Sequence, residues 1–244
     1  MASSFRLCLL FFFISTALAE LPGGLKGCKQ SSKDFSKCLS QQVNHALKFF
    51  KDGNKKMGVN PIEPFKFQRL LIDQGTGPVA IKLEFKNLNL HGVSNTKILD
   101  TKCDWKEISF KANLDNLLIF GEYKINGKVL VLPIAGNGAS NITMTNLDVT
   151  AKMKLKEFQK GGKSYFKGET FEIIISPKRT FFQLENLFNG DKALGDNMNL
   201  FLNENHAQIV NELKPAVSKA LSQAFLQVAN QVFSKIPANE IKLA

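Results

Sequence analysis

Few residue types in this chain could do chemistry, and they are scattered. The three histidines, His45, His91 and His206, lie far apart in sequence and in different elements, so spacing forms no ligand pair and no base–nucleophile couple. No Gly-x-Ser-x-Gly elbow occurs. Gly75-Thr76-Gly77-Pro78 leads into a strand and lacks the lysine and the following helix that a phosphate-binding loop needs. The acidic residues fall mostly on polar faces. No catalytic set is present, and the chain is expected to be non-catalytic, with no cofactor and no metal site.

Cysteine is the other reactive type. Cys8 falls in an apolar N-terminal run, which leaves the odd set Cys28, Cys38 and Cys103. No two of them have the short spacing of a zinc pair, and no histidine lies near. In an oxidising compartment Cys28 and Cys38 are the natural partners, tying an N-terminal arm to the first turns of a helix, with Cys103 a buried free thiol. A bridge from Cys103 to either of the others stays open on sequence alone. Asn141-Ile142-Thr143 is an N-glycosylation sequon, placed at a strand start after a glycine turn.

The N-terminus has the pattern of a secretory leader. Met1–Arg6 carries one positive charge, Leu7–Leu18 is mostly apolar, and Ala17-Leu18-Ala19 offers small residues to a signal peptidase. The apolar run is too short for a membrane span. The leader is expected at residues 1–19, with residues 20–244 forming one domain. Loss of Arg6 lowers the net charge from +11 to +10. The lysines alternate with apolar residues along strands, which is a solvated face and not a nucleic-acid groove.

The elements behind these residues are readable from periodicity. Asp34–Lys51 is an amphipathic helix with Phe35, Leu39, Val43, Ala46 and Phe50 on one face. From Phe65 to Ser176 the period becomes two. Val79, Ile81, Leu83 and Phe85 share a face, the count slips at Lys86-Asn87, and Leu88 and Leu90 resume it, which predicts a bulge. Asn126-Gly127 predicts a type I′ hairpin that places Ile119, Tyr123, Leu130, Leu132 and Ile134 on the inner face. Gly136-Asn137-Gly138 predicts a turn. Met144, Val149 and Met153 point inward after another slip, Gly161-Gly162 turns the chain again, and Phe171 and Ile173 return before Pro177 ends the sheet. Ala193–Asn203 is predicted as a turn or two of helix. His206–Ile236 then carries an apolar stripe (Val210, Leu213, Val217, Ala220, Leu221 and onward) on a rod of about 45 Å, interrupted by Pro215. The fold class is α+β: a strongly curved antiparallel sheet wrapped around a long C-terminal helix.

Of the 21 phenylalanines, four leave with the leader and 17 remain, against two tyrosines and one tryptophan. Phenylalanine gives apolar area with no polar handle. A sheet bent around a single rod encloses more volume than the helix fills, so an apolar space for a ligand is expected between them.

Several blocks, in the same order and spacing, resemble the insect takeout and juvenile-hormone-binding protein family. They are the Cys28…Cys38 pair, LLIDQGTGPVAIKLEFKNLNLHGVSN at Leu70–Asn95, GEYKINGKVLVLPIAGNG at Gly121–Gly138 and LFNGDKALGDNMNLFLNENHAQIVNELKPAV at Leu187–Val217. The resemblance implies a Cys28–Cys38 disulfide, the tubular lipid-binding architecture with an apolar tunnel along the helix, and secretion into haemolymph or a similar fluid. It implies a carrier of juvenile hormone-like terpenoids, fatty acyl compounds or odorants, with takeout-like members tied to circadian rhythm, feeding state and chemosensation. Only Cys103 is left to supply a second disulfide, which places the chain nearer the takeout-like branch and weighs against juvenile hormone itself.

The expected lining comes from the inner faces: Leu83, Phe85, Phe110, Tyr123, Leu130 and Leu132, then Met144, Val149, Met153, Phe171 and Ile173. The helix adds Leu213, Val217 and Leu221. Tyr123 and nearby hydroxyls are candidates for a polar head group. The expected partner is a hydrophobic small molecule, bound by a monomer, with no nucleic acid and no stable membrane insertion. Rival readings are a membrane-surface lipid-binding protein, whose lysine-rich face meets anionic head groups, and a signalling ligand that docks to an unknown receptor.

Overall fold

The strands are too long to lie flat on one helix. Strand β6, Leu132–Lys160, has 29 residues and would span about 95 Å extended. The long helix α3, His206–Phe233, has 28 and covers about 42 Å. A sheet built from such strands can bury one face on that helix only by curling around it.

The computed structural model describes residues 21–243; the expected leader at residues 1–19 lies outside them. In chain order the remaining elements are β1 (Cys28–Lys29), α1 (Phe35–Phe49), β2 (Phe65–Gln74), β3 (Val79–His91), β4 (Lys97–Cys103), β5 (Glu107–Val129) and β7 (Lys163–Leu184). Helix α2 (Lys192–Glu204) precedes α3, and α4 (Ala238–Ile241) and β8 (Lys242–Leu243) follow it. The six-stranded antiparallel sheet has the order β2-β3-β5-β6-β7, with β4 also on β5. Strands β3 and β4 share one edge of β5, β3 along Leu118–Val129 and β4 along Ile108–Asn113. The short β1 and β8 pair in parallel near the disulfide.

Two slips in the alternation are local irregularities. The register between β3 and β5 shifts between Lys86 and Asn89, with Asn87 at φ 50°. Asn146 also has φ 50°, and inward burial resumes at Leu147. Gly161 and Gly162 both have positive φ, 57° and 74°, and form the β6–β7 turn, as a two-residue hairpin loop requires.

Three sequence expectations are corrected. The β5–β6 hairpin turns at Leu130-Val131, with Val129 opposite Leu132, and Asn126-Gly127 is mid-strand opposite Ala135 and Ile134. A Cβ on Gly127 would lie 2.2 Å from the Ala80 carbonyl, so this glycine lets β3 approach β5. Gly136-Asn137-Gly138 is also mid-strand, opposite Ile125, Lys124 and Tyr123. Cβ atoms there would strike Leu187 Cα at 2.9 Å and the Glu185 carbonyl at 2.6 Å; both glycines admit the segment that crosses them. Finally, β7 continues through Pro177, opposite Leu147 on β6. Strand β7 is at the edge of the sheet, where a missing donor costs little.

Core packing falls into two clusters. The larger fills the space between the concave sheet and α3, and includes Val79, Ile134, Leu147 and Leu187, each nearly inaccessible to solvent. The rings of Phe65 on β2 and Phe225 on α3 stack at 4.7 Å. The smaller cluster closes the end carrying α1 and the Cys28–Cys38 disulfide, where Trp105 stacks on Phe166 at 5.3 Å. Cys103 is the free cysteine among the described residues. It accepts the backbone N–H of Trp105 at 3.3 Å, and burial pushes its thiol pKa up.

Candidate functional site

An apolar cavity of about 110 Å³ lies under the first half of α3. The helix contributes Val210, Leu213, Lys214, Val217, Ala220 and Leu221. Their spacing of three and four residues keeps them on one face. The sheet contributes apolar side chains from β2, β3, β5, β6 and β7, among them Phe67, Leu83, Ile119, Met144 and Phe182. Lys214 is the only charged residue in the lining. Its stem borders the cavity and its ammonium donates to Ser176 Oγ at 3.2 Å.

The sequence candidates divide into groups. Leu83, Met144, Leu213, Val217 and Leu221 come together around this cavity. Phe85, Val149 and Ile173 are packed in the larger cluster without lining it. Met153 belongs to the smaller cluster at the disulfide end, with Phe110 packed against it, and Phe171 touches both clusters. Leu130 is half-buried with φ 55° in the hairpin turn. Leu132 is a correction: it lies at the hairpin tip, 36% exposed, because the turn falls four residues later than Asn-Gly predicted.

Tyr123 is also corrected as a head-group ligand. Its hydroxyl donates to the Glu185 carbonyl at 2.7 Å, and the residue is 3% exposed. Tyr123 pairs with Gly138 across the strands, and its oxygen lies 2.9 Å from where a Cβ on Gly136 would be. Burial pushes its pKa up to about 12, helped by the nearby Glu185 carboxylate. Tyr123 thus pins the crossing segment after β7. Asn141 lies mid-strand on β6, half-buried, between Phe120 on β5 and Gln183 on β7, and not at a strand start.

Sequence reasoning missed β2 as a wall. Phe67, Leu70 and Ile72 line the cavity, but Gln68 and Arg69 are both exposed between them. The β2–β3 pairing skips from Phe67↔Leu88 to Arg69↔Lys86, opposite the Asn87 bulge. One extra residue breaks the period-two pattern that would have revealed the face. Val210 and Ala220 were legible on the helix stripe. Among the described residues no group of three or more His, Cys, Asp or Glu could hold a metal, and no helix is long and apolar enough to cross a membrane.

Residues 7–242 match the family described as Haemolymph juvenile hormone binding protein (JHBP). The Circadian clock-controlled protein daywake of Drosophila melanogaster is 24% identical over 229 residues, covering 90% of this chain and 87% of that protein. A Putative beta-carotene-binding protein of Schistocerca gregaria is 20% identical over 217 residues, covering 87% and 86%. The crystal structure of Epiphyas postvittana Takeout 1 superposes with a TM-score of 0.80 at 24% identity, covering 90% of this chain and 100% of that one. That likeness carries the fold, a curled antiparallel sheet closed by C-terminal helices.

Proposed function

Because the chain belongs to the haemolymph juvenile hormone binding protein family, we propose that it is a secreted, non-catalytic carrier of hydrophobic small molecules. The observation that carries this reading is the cavity between α3 and the concave sheet, apolar on every side except at Lys214. Burying hydrocarbon there contributes about 0.8 kcal/mol per methylene. The name of the family and that of one relative, a putative beta-carotene binder, support terpenoid-like or fatty acyl ligands. The circadian protein daywake supports a link to rhythmic physiology.

The cavity of about 110 Å³ is below the ~300–1,000 Å³ of pockets that hold drug-sized ligands. A long ligand must therefore displace lining side chains. Met144, unbranched with three rotatable bonds, yields most readily. Secretion belongs to the same proposal, since the Cys28–Cys38 disulfide suits an oxidising compartment.

Val217→Asp tests the reading, because it puts a carboxylate into the apolar lining. The variant is expected to be secreted and folded but to lose loading of a fluorescent fatty-acid probe. Unchanged loading in the folded variant would refute the cavity as the binding site. Native mass spectrometry of the secreted wild type is expected to show a co-purified small molecule.

A further inference from the structure

The outer side of α3 holds a polar pair that an apolar carrier does not need. Lys214 and Ser218 are four residues apart on the helix, so they stand on one face. Both line an open groove of about 630 Å³ between α3 and β7. Lys214 also lines the apolar cavity and is the only residue common to the two linings. It therefore sits on the partition between them.

Each of the two groups has unused capacity. The Lys214 ammonium has three donors and makes one hydrogen bond, to Ser176 Oγ. It makes no ion pair among the described residues. The other charges on the groove are Lys219, Glu172 and Glu169, of which Glu169 is engaged by Lys156 at 3.8 Å. The Ser218 hydroxyl is buried with no hydrogen-bond partner. A serine hydroxyl inside a helix ordinarily turns back to the carbonyl four residues earlier, and this one does not. Buried polar groups in native proteins are nearly always paired, so the arrangement points to an acceptor that comes from outside the chain.

We propose that Lys214 and Ser218 form a head-group site for an acidic amphiphile. A carboxylate with two oxygens takes one hydrogen bond from the ammonium and one from the hydroxyl, while its hydrocarbon tail passes Lys214 into the cavity beside Leu213 and Val217. The proposal rests on the carrier reading and adds to it the class of head group.

The test is displacement of the neutral dye N-phenyl-1-naphthylamine by palmitic acid and by methyl palmitate, which share a tail and differ in charge. Wild type is expected to release the dye at about tenfold lower palmitate than ester, the scale of one charge-assisted hydrogen bond. Lys214→Met keeps the apolar stem and should bring palmitate to the level of the ester. Lys214→Gln should do the same, and Lys214→Arg should keep the preference. Ser218→Ala should lose part of it. A wild-type circular dichroism spectrum and melting temperature in each variant report an intact fold. Equal affinities in wild type, or a preference that survives both Lys214→Met and Lys214→Gln, overturn the head-group site while leaving the carrier reading standing. Failure of wild type to bind the dye or either lipid overturns both.

Discussion

The side-chain amide of Asn230 exchanges two hydrogen bonds with the backbone of Gly168: its Oδ1 accepts the Gly168 N–H at 2.8 Å and its Nδ2 donates to the Gly168 carbonyl at 3.0 Å. A neighbouring strand would make the same pair of bonds. The outer edge of β7 is covered by side chains at three further residues. Asn199 and Asn203 on α2 bond both backbone groups of Leu184 and of Phe182, and Ser222 on α3 accepts the Ile173 N–H. The spacings match, since four helical residues rise about 6.0 Å and two strand residues about 6.8 Å. Asn44 on α1 does the same for Ile98 at the outer edge of β4. An open curled sheet needs such protection against pairing with another chain.

Asn230→Ala leaves a partly buried N–H and carbonyl on Gly168 without partners. The expected cost is about 1–3 kcal/mol, read as a lower urea midpoint with an unchanged slope. An unchanged midpoint would mean that water replaces the amide without loss. The double variant Asn199→Ala/Asn203→Ala uncovers two alternate residues of the β7 edge and should promote self-association, visible by size-exclusion chromatography.

Glycine substitutions separate two uses of that residue. Gly127 has φ 146°, and its Cβ would sit 2.2 Å from the Ala80 carbonyl, whereas a Cβ on Gly75 would meet nothing within 4 Å. Gly127→Ala is expected to destabilise by about 3 kcal/mol or more, through backbone overlap that cannot relax cheaply. Gly75→Ala should be neutral or slightly stabilising, by restricting the unfolded chain. Thermal melts of the two variants check this contrast.

The same glycines explain which parts of the fold were legible. Period-two alternation revealed the inward faces of β3 and β5, the slips at Asn87 and before Leu147, and the Gly161-Gly162 turn, because burial on one side writes itself into the sequence. Gly127, Gly136 and Gly138 misled, since a residue needed for close approach looks identical to one needed for a turn. Ala80 and Ile81 stand against Gly127, and Tyr123 with the Glu185–Leu187 crossing stands against Gly136 and Gly138, contacts that the residues next to each glycine in sequence do not announce. The amide ladder of Asn199, Asn203 and Asn230 was invisible for a related reason: an asparagine on a helix face reads as solvated until the strand edge beside it is known. Of the cavity, the helix stripe was legible and the β2 wall was not, because the Gln68-Arg69 slip hides its alternation.

Tyr123 sets a pH dependence. Its folded pKa, about 12, is above the ordinary tyrosine value of 10.0. Between those values the unfolded chain gives up the phenolic proton and the folded chain keeps it, so the folded form binds more protons and stability falls as pH rises. Wild type should lose stability from about pH 10 upward by more than Tyr123→Phe does. At neutral pH the variant should be the less stable by about 1 kcal/mol, since the Glu185 carbonyl loses its partner. Parallel pH–stability curves for the two proteins would exclude Tyr123 as the group responsible.

Two methionines on β6 test whether the cavity is a binding space or ordinary core. Met144 is 9% exposed and Met153 4%; the first lines the cavity and the second belongs to the cluster at the disulfide end. Truncating either to alanine removes the same side-chain atoms from a buried site, and each should cost about 2–5 kcal/mol without ligand. A ligand that binds only the folded state stabilises it in proportion to RT ln(1 + [L]/Kd). In Met144→Ala a long-chain ligand can fill the new volume, so palmitate at saturating concentration should raise its melting temperature by more than it raises wild type. Met153→Ala creates space that the ligand does not reach and should show the wild-type increment. Equal increments in the two variants would place the ligand away from Met144 and refute the cavity under α3 as the binding site.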